Sequence, residues 1–156
     1  MPLAIGTDAP DFELSDQNKK TVRLSDFRGQ KHVLLVFFPR AFTGVCTGEM
    51  CSLRDSLDSF RSDEVETLAI SVDSPAALGA WGEKEGLDFP LLSDFWPHGA
   101  VADKYGVFDS GKGLAMRGTF LVTKDGVISF SEMNGAPDAR DQQRWRHALA
   151  ELGVAV

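Results

Sequence analysis

The sequence lacks the features that mark exported, membrane-spanning and nucleic-acid-binding proteins. Its N-terminus has no basic region followed by an apolar run, so it does not resemble a signal peptide. No apolar segment approaches the length of a transmembrane helix. The formal net charge is −7, whereas phosphate binding needs a surplus of lysine and arginine. We therefore expect a cytoplasmic protein that binds neither nucleic acid nor an anionic membrane.

Cysteine is also scarce, because the 156 residues include only two, Cys46 and Cys51. Stable structural disulfides are rare in the cytoplasm, so the pair is expected to be reduced thiols, a metal pair or a redox couple. Their spacing argues against the Cys-x-x-Cys motif of thioredoxin-like reductases. The three histidines are scattered, which is poor evidence for zinc, and the glycines form no phosphate loop. We expect neither a metal nor a cofactor.

No repeat, low-complexity tract or Pro/Gly/Ser-rich linker divides the chain, and its length suits one domain spanning residues 1–156. The continuous apolar run HVLLVFF, His32–Phe38, predicts a central strand that is buried on both faces. The strand-like and helix-like segments follow the order β-β-β-α-β-α-β-α-β-β-α. This alternation predicts an α/β fold with a mixed central sheet, flanking helices and an N-terminal hairpin.

Turn and capping residues delimit the other segments. Ser74 and Pro75 are expected to begin a helix that Gly86 ends. The other main predictions are hairpins over 11–24 and 118–130, a strand over 66–72, and helices over 45–61 and 137–152. Loops after the carboxyl ends of strands usually carry the site in such sheets. The residues that follow Phe38 are therefore the first candidates for function.

Cys46 is predicted to lie in the first turn of a helix, where unpaired backbone N–H groups and the helix dipole favour a thiolate. Thr43 precedes it by three residues and supplies a hydroxyl, while Pro39 offers no N–H and shields the sulfur. Each residue also has a simpler interpretation. Taken singly, these are a small buried cysteine, a helix N-cap and the end of a strand.

In combination the three residues form the segment PRAFTGVC, residues 39–46, which resembles the Pro-x-x-x-Thr/Ser-x-x-Cys active-site motif of the peroxiredoxins. GTDAPDFEL near the N-terminus and RGTFLV, residues 117–122, also resemble segments of that family. The resemblance implies a thioredoxin-like fold in its peroxiredoxin variant. It also implies thiol-dependent reduction of hydrogen peroxide and organic hydroperoxides, with peroxynitrite as a further substrate.

Three segments narrow the resemblance to the alkyl hydroperoxide reductase E type, which generally uses one essential cysteine. They are LLVFFPRAFTGVC, FPLLSDFWPHGAVADKYGVF and RDQQRW. The segment CTGEMC instead resembles the spacing of the Q-type, or bacterioferritin-comigratory, peroxiredoxins. In some of those a second cysteine on the same helix forms an intramolecular disulfide. This sequence therefore combines features of two subfamilies.

The resemblance also implies residue roles. Cys46 is the peroxidatic cysteine, whose thiolate attacks a peroxide oxygen and becomes a sulfenic acid. Thr43 and Arg117 hold the peroxide oxygens, Pro39 shields the sulfur, and the charge of Arg117 favours the thiolate. Glu49 orients an arginine through a bidentate pair.

Glu49 and Arg140 each have two interpretations. Glu49 is equally well interpreted as a carboxylate on the helix surface. Arg140 is expected to be an exposed arginine at the start of a helix, although it is also a candidate for the network around Glu49.

Cys51 has two interpretations. As a resolving cysteine it attacks the Cys46 sulfenic acid; alternatively, it is a partly buried helix residue without a redox role. Five residues along a helix separate side chains by about 140° around the axis and about 7.5 Å along it, whereas a disulfide needs Cα atoms within roughly 4.4–6.8 Å. Pairing would require the helix start to unwind, which Gly48 favours by about 1 kcal/mol relative to alanine.

The resemblance also implies partners. The reductant is expected to be thioredoxin, mycoredoxin with a low-molecular-weight thiol, or a glutaredoxin-like protein. A homodimer is expected through loops near Phe42 and Trp96. The short loops and helices contain more aromatic residues than a monomer usually exposes, namely Phe42, Trp81, Phe95 and Trp96; the alternative is that these residues pack in the core.

The alternative function is a non-enzymatic thiol switch, which signals peroxide to a partner protein.

Overall fold

The computed structural model describes residues 1–135 and 140–154, and the side chains of Val45 and Cys46 lie outside this description. The strands are β1 (Glu13–Ser15), β2 (Thr21–Arg23), β3 (His32–Phe37), β4 (Val65–Ser71), β5 (Leu91–Ser93), β6 (Phe108–Asp109), β7 (Leu114–Ala115), β8 (Arg117–Val122) and β9 (Ile128–Asn134). The helices are α1 (Gly44–Asp55), α2 (Leu57–Phe60), α3 (Pro75–Glu85), α4 (Ala100–Lys104) and α5 (Gln142–Glu151), with a 3₁₀ turn at Leu24–Phe27.

Seven strands form a mixed sheet in the order β2-β1-β5-β4-β3-β8-β9. Strands β3, β4 and β5 are parallel, whereas β8 runs antiparallel to β3. The predicted central strand is confirmed, because all six residues of β3 are buried. Leu34 and Val36 enter one core with residues of α1, α3 and α5, while Leu35 and Phe37 enter a second core with residues of α4.

The antiparallel pairing of β3 and β8 positions the site. The carboxyl end of β3 and the beginning of β8 meet at one edge of the sheet, where Val36 pairs with Thr119. The loop that follows Phe38 and the side chain of Arg117 therefore come from distant parts of the sequence to the same edge. This is the edge at which α/β sheets usually carry their sites.

The capping signals of α3 are confirmed. The Ser74 Oγ accepts the Ala77 N–H at 3.2 Å, Pro75 is the first helical residue, and Gly86 ends the helix with a φ of 66°. The left-handed conformation at Gly86 suits glycine because it has no Cβ. The two predicted hairpins also form, as β1–β2 and β8–β9.

Three features differ from the sequence-based expectations. The helix predicted over 45–61 breaks at Ser56, which leaves helical geometry at φ −109° and ψ 13° before α2 begins. The terminal helix begins at Gln142 rather than 137, with Asp141 as its N-cap; residues 136–139 lie outside the description. The short hairpin β6–β7 was not predicted, because strands of two residues are too short to show a periodicity.

Within the described ranges, no helix is long and apolar enough to cross a bilayer.

Candidate active site

The loop between β3 and α1 carries the residues predicted from the motif. Thr43 has extended backbone geometry as the N-cap of α1, and its hydroxyl donates to the Arg40 carbonyl at 3.1 Å rather than capping the helix. The Thr47 N–H donates to the Thr43 carbonyl at 2.9 Å, which closes a helical turn that includes the Cys46 backbone. The predicted helical position of Cys46 is thus confirmed for its backbone. Amides in such a first turn have no partner within the helix and attract negative charge.

Asp73 holds this loop against the sheet. Its Oδ2 accepts the Ala41 N–H at 2.8 Å and the buried Ser71 hydroxyl at 2.7 Å. The next residue, Phe42, has a φ of 64°, a left-handed conformation that costs a non-glycine residue about 1–3 kcal/mol. Asp73 was not predicted as a site residue, although its place just after a buried strand is a signal for one.

We expect Asp73→Ala to lower the free energy of unfolding by about 1–3 kcal/mol, because the Ala41 N–H and the Ser71 hydroxyl lose their charged acceptor. The peroxide reaction should slow as well, since the loop carries Pro39 and Thr43. Urea unfolding and stopped-flow oxidation would measure the two effects. Asp63→Ala, at an exposed site, is the matched control, and an unchanged rate in Asp73→Ala would contradict the anchoring role.

Arg117 and Glu49 form a buried, bidentate ion pair. The Arg117 Nε donates to Glu49 Oε1 at 3.2 Å, and Nη2 donates to Oε2 at 2.6 Å. Their side chains are 4% and 10% exposed. The predicted bidentate pair is therefore confirmed as a contact, and the alternative of a surface carboxylate at Glu49 is wrong. Glu49 faces inward because β8 brings a guanidinium to the side of α1.

Arg140 completes the network, so the expectation of an exposed arginine is wrong. It is 9% exposed, its backbone N–H donates to Glu49 Oε2 at 3.0 Å, and its Nε lies 3.3 Å from the same oxygen. Its guanidinium also donates to the Gly118 and Phe37 carbonyls. One carboxylate thus lies between two permanent cations beside the first turns of α1.

Pro39 and Arg117 line one cleft of about 280 Å³. Its walls include Leu114 and Ala115 of β7, with Met116 and Met133. The hairpin that the sequence did not reveal therefore forms part of the wall. Pro39 is half-buried at the junction of β3 and this cleft, and its shielding of the sulfur stays a prediction.

Helix α3 contacts α1 at two points near the cysteines. The Trp81 Nε1–H donates to the Thr47 hydroxyl at 3.2 Å, and the Cys51 thiol donates to Glu85 Oε2 at 3.5 Å. Cys51 is half-buried, which both interpretations of this residue allow. Burial, reinforced by the hydrogen bond to Glu85, raises the pKa of the Cys51 thiol.

Across the described part of the chain, no group of three or more His, Cys, Asp or Glu residues is arranged to hold a metal ion.

Comparisons with known proteins agree with this geometry. The AhpC/TSA family model matches residues 5–131. Alkyl hydroperoxide reductase E of Mycobacterium tuberculosis is 53% identical over 150 residues, covering 96% of this chain and 98% of that protein. Peroxiredoxin Bcp of Escherichia coli is 40% identical over 133 residues, covering 81% of this chain and 83% of that protein.

Solved structures show the same architecture. The crystal structure of peroxidoxin BcpB from Mycobacterium tuberculosis matches with a TM-score of 0.82 at 29% identity, covering 97% of this chain and 98% of that one. AhpC of Enterococcus faecalis matches with a TM-score of 0.83 at 30% identity, covering 100% and 99%. The thioredoxin-like fold in its peroxiredoxin variant is confirmed. The chain therefore belongs to the AhpC/TSA family and is a peroxiredoxin, a thiol-dependent peroxidase.

Proposed function

We propose that this peroxiredoxin reduces hydrogen peroxide and organic hydroperoxides, with peroxynitrite as a further substrate, through a sulfenic acid on Cys46. The observation that supports this proposal is the Glu49–Arg117 pair. It lies at the sheet edge where α1 begins, and the Cys46 backbone belongs to the first turn of that helix. A guanidinium held beside a helix N-terminus lowers the pKa of a thiol and supplies donors for an oxygen that gains charge.

In the proposed reaction the Cys46 thiolate attacks one peroxide oxygen. The S–O bond forms as the O–O bond breaks, and the departing oxygen takes a proton to leave as water or an alcohol. Thr43 donates its own proton to the Arg40 carbonyl, so its oxygen is free to accept a hydrogen bond from the peroxide O–H. Arg117 stabilises the departing oxygen, and Glu49, which Arg140 also contacts, holds that guanidinium in place.

Steady-state turnover tests this function against the thiol switch. An enzyme consumes many equivalents of peroxide with a thiol reductant, whereas a switch is oxidised once per chain. A panel of thioredoxin, mycoredoxin with a low-molecular-weight thiol, and glutaredoxin would also identify the reductant. The related proteins carry the names of enzymes, which favours turnover.

We further propose a cytoplasmic location.

We also propose a homodimer. Trp81 is fully buried, so its expected exposure is wrong, but Phe42, Phe95 and Trp96 are 54%, 50% and 81% exposed. Large exposed aromatic side chains are typical of a protein interface. Sedimentation velocity of the wild type and of Trp96→Ala would test the dimer.

We propose that Cys51 resolves the sulfenic acid as an intramolecular disulfide. Both cysteines lie in the continuous helix α1, where Cα atoms five residues apart are about 8.6 Å apart, so closure requires a shift of about 2 Å or more. Gly44 and Gly48 are exposed, and a Cβ added to either would contact nothing within 4 Å. The first turns of α1 are thus lightly packed at these positions, which favours local unwinding.

One equivalent of peroxide should therefore convert the wild type to a chain about two mass units lighter, without free thiols and without a disulfide to a second chain. Cys51→Ser should instead accumulate a sulfenic acid that dimedone labels. Intact-mass spectrometry measures both species. Equal dimedone labelling of the wild type and Cys51→Ser would show that Cys51 has no resolving role.

A further inference from the structure

The thiol of Cys51 lies against the last residue of helix α3. Its Sγ is 3.5 Å from Glu85 Oε2, and both side chains are half-buried. Glu85 is held in place, because Gly86 ends the helix immediately after it and the Arg54 side chain donates to the Glu85 carbonyl. The carboxylate and the thiol therefore form a hydrogen-bonded pair across the two helices.

Cys51 stays beside Glu85 if only the first turns of α1 unwind. Met50 and Leu53, on either side of it, are fully buried in the core, and Glu49 is bound by Arg117. The lightly packed glycines, in contrast, all precede Glu49. Closure thus moves the Cys46 backbone toward a stationary Cys51.

Burial and the charged groups around Cys51 favour its protonated form. Glu85 from α3 and Asp55 from α1 oppose a thiolate there, while Arg54 favours one, and burial adds the largest effect in raising the pKa of Cys51. A protonated thiol resists direct oxidation by peroxide, because oxidation follows thiolate character. The same property means that Cys51 must lose its proton in order to attack.

We propose that Glu85 accepts the Cys51 proton during resolution. The Cys51 sulfur attacks the Cys46 sulfenic acid, the S–S bond forms and the S–O bond breaks. The departing hydroxide takes a proton from solvent to become water, and Glu85 later returns the thiol proton to solvent. The peroxide has already supplied the oxidising equivalents. This inference rests on the resolving role proposed for Cys51.

Glu85→Gln tests the proposal, since it keeps the size of the side chain and removes the base. We expect disulfide formation after one equivalent of peroxide to slow by about 10²-fold at pH 7, the range of general-base assistance. Its rate should also rise about tenfold per pH unit, because it then follows the thiolate fraction of Cys51. Rapid quenching, alkylation and mass spectrometry would measure sulfenic acid and disulfide separately.

Matched variants distinguish the possible outcomes. Glu83→Gln removes an exposed carboxylate from the same helix and should retain the wild-type rate, while Glu85→Asp should recover part of it. If the disulfide forms equally fast, with the same pH profile, in Glu85→Gln and the wild type, the role of Glu85 is wrong and the resolving role of Cys51 stands. If no disulfide forms in the wild type, both are wrong.

Discussion

Cys46→Ser is expected to abolish peroxidase activity, with a loss of about 10⁴-fold or more that brings the rate to background. A serine hydroxyl is not ionised near neutral pH, and the alkoxide that attack would require is far less accessible than a thiolate. Without the nucleophile, the attack on the peroxide does not take place. The groups that stabilise its transition state, such as Arg117 and Thr43, then contribute little to the rate. Stopped-flow mixing with hydrogen peroxide, at equal protein concentration, is the measurement.

The natural control for this experiment is Cys51→Ser. It keeps Cys46 and its surroundings, so it should still react once with peroxide and differ only in how the sulfenic acid is resolved. Circular dichroism of both variants checks that the fold is retained. A wild-type rate in Cys46→Ser would show that the oxidised residue lies elsewhere and would remove the basis of the proposed mechanism.

The parts of the site that could be predicted are those encoded within short segments. The apolar run before Pro39 specifies a buried strand, and the motif that follows places Cys46 at a helix start. Arg117 was assigned by resemblance, and its pairing with Glu49 was expected in the same way. The strand and the helix start need little more than local periodicity and capping, whereas the assignments of Arg117 and Glu49 depend on the family resemblance.

Arg140 shows why the rest could not be predicted. It precedes a helix and is followed by polar residues, a setting that is typical of an exposed side chain. Its burial arises from a carboxylate 91 positions earlier in the chain, which the fold brings to the same edge of the sheet. Asp73 likewise acts on a loop 32 positions away. Side-chain direction at such sites depends on tertiary contacts that no local pattern contains.

Arg117→Ala is expected to slow the peroxide reaction by about 10²–10³-fold and to raise the pKa of Cys46. The rate effect corresponds to the loss of one donor to a charged oxygen in the transition state, about 2.7–4 kcal/mol. The pKa effect follows because a permanent positive charge favours the thiolate. Stopped-flow oxidation across pH measures both, since the pH at which the rate levels off reports the thiol pKa.

Arg117→Lys separates charge from geometry. A lysine keeps the positive charge but cannot form the bidentate contact with Glu49, so the pKa of Cys46 should stay close to that of the wild type while the rate falls. Arg144→Ala is the matched control, because Arg144 is a largely exposed arginine paired with Glu132 on the surface. If Arg117→Ala and Arg117→Lys shifted the pKa of Cys46 equally, charge would not be the cause. If neither variant slowed the reaction, the buried pair would have a structural role alone, and transition-state stabilisation would have to come from Thr43 and the amides at the start of α1.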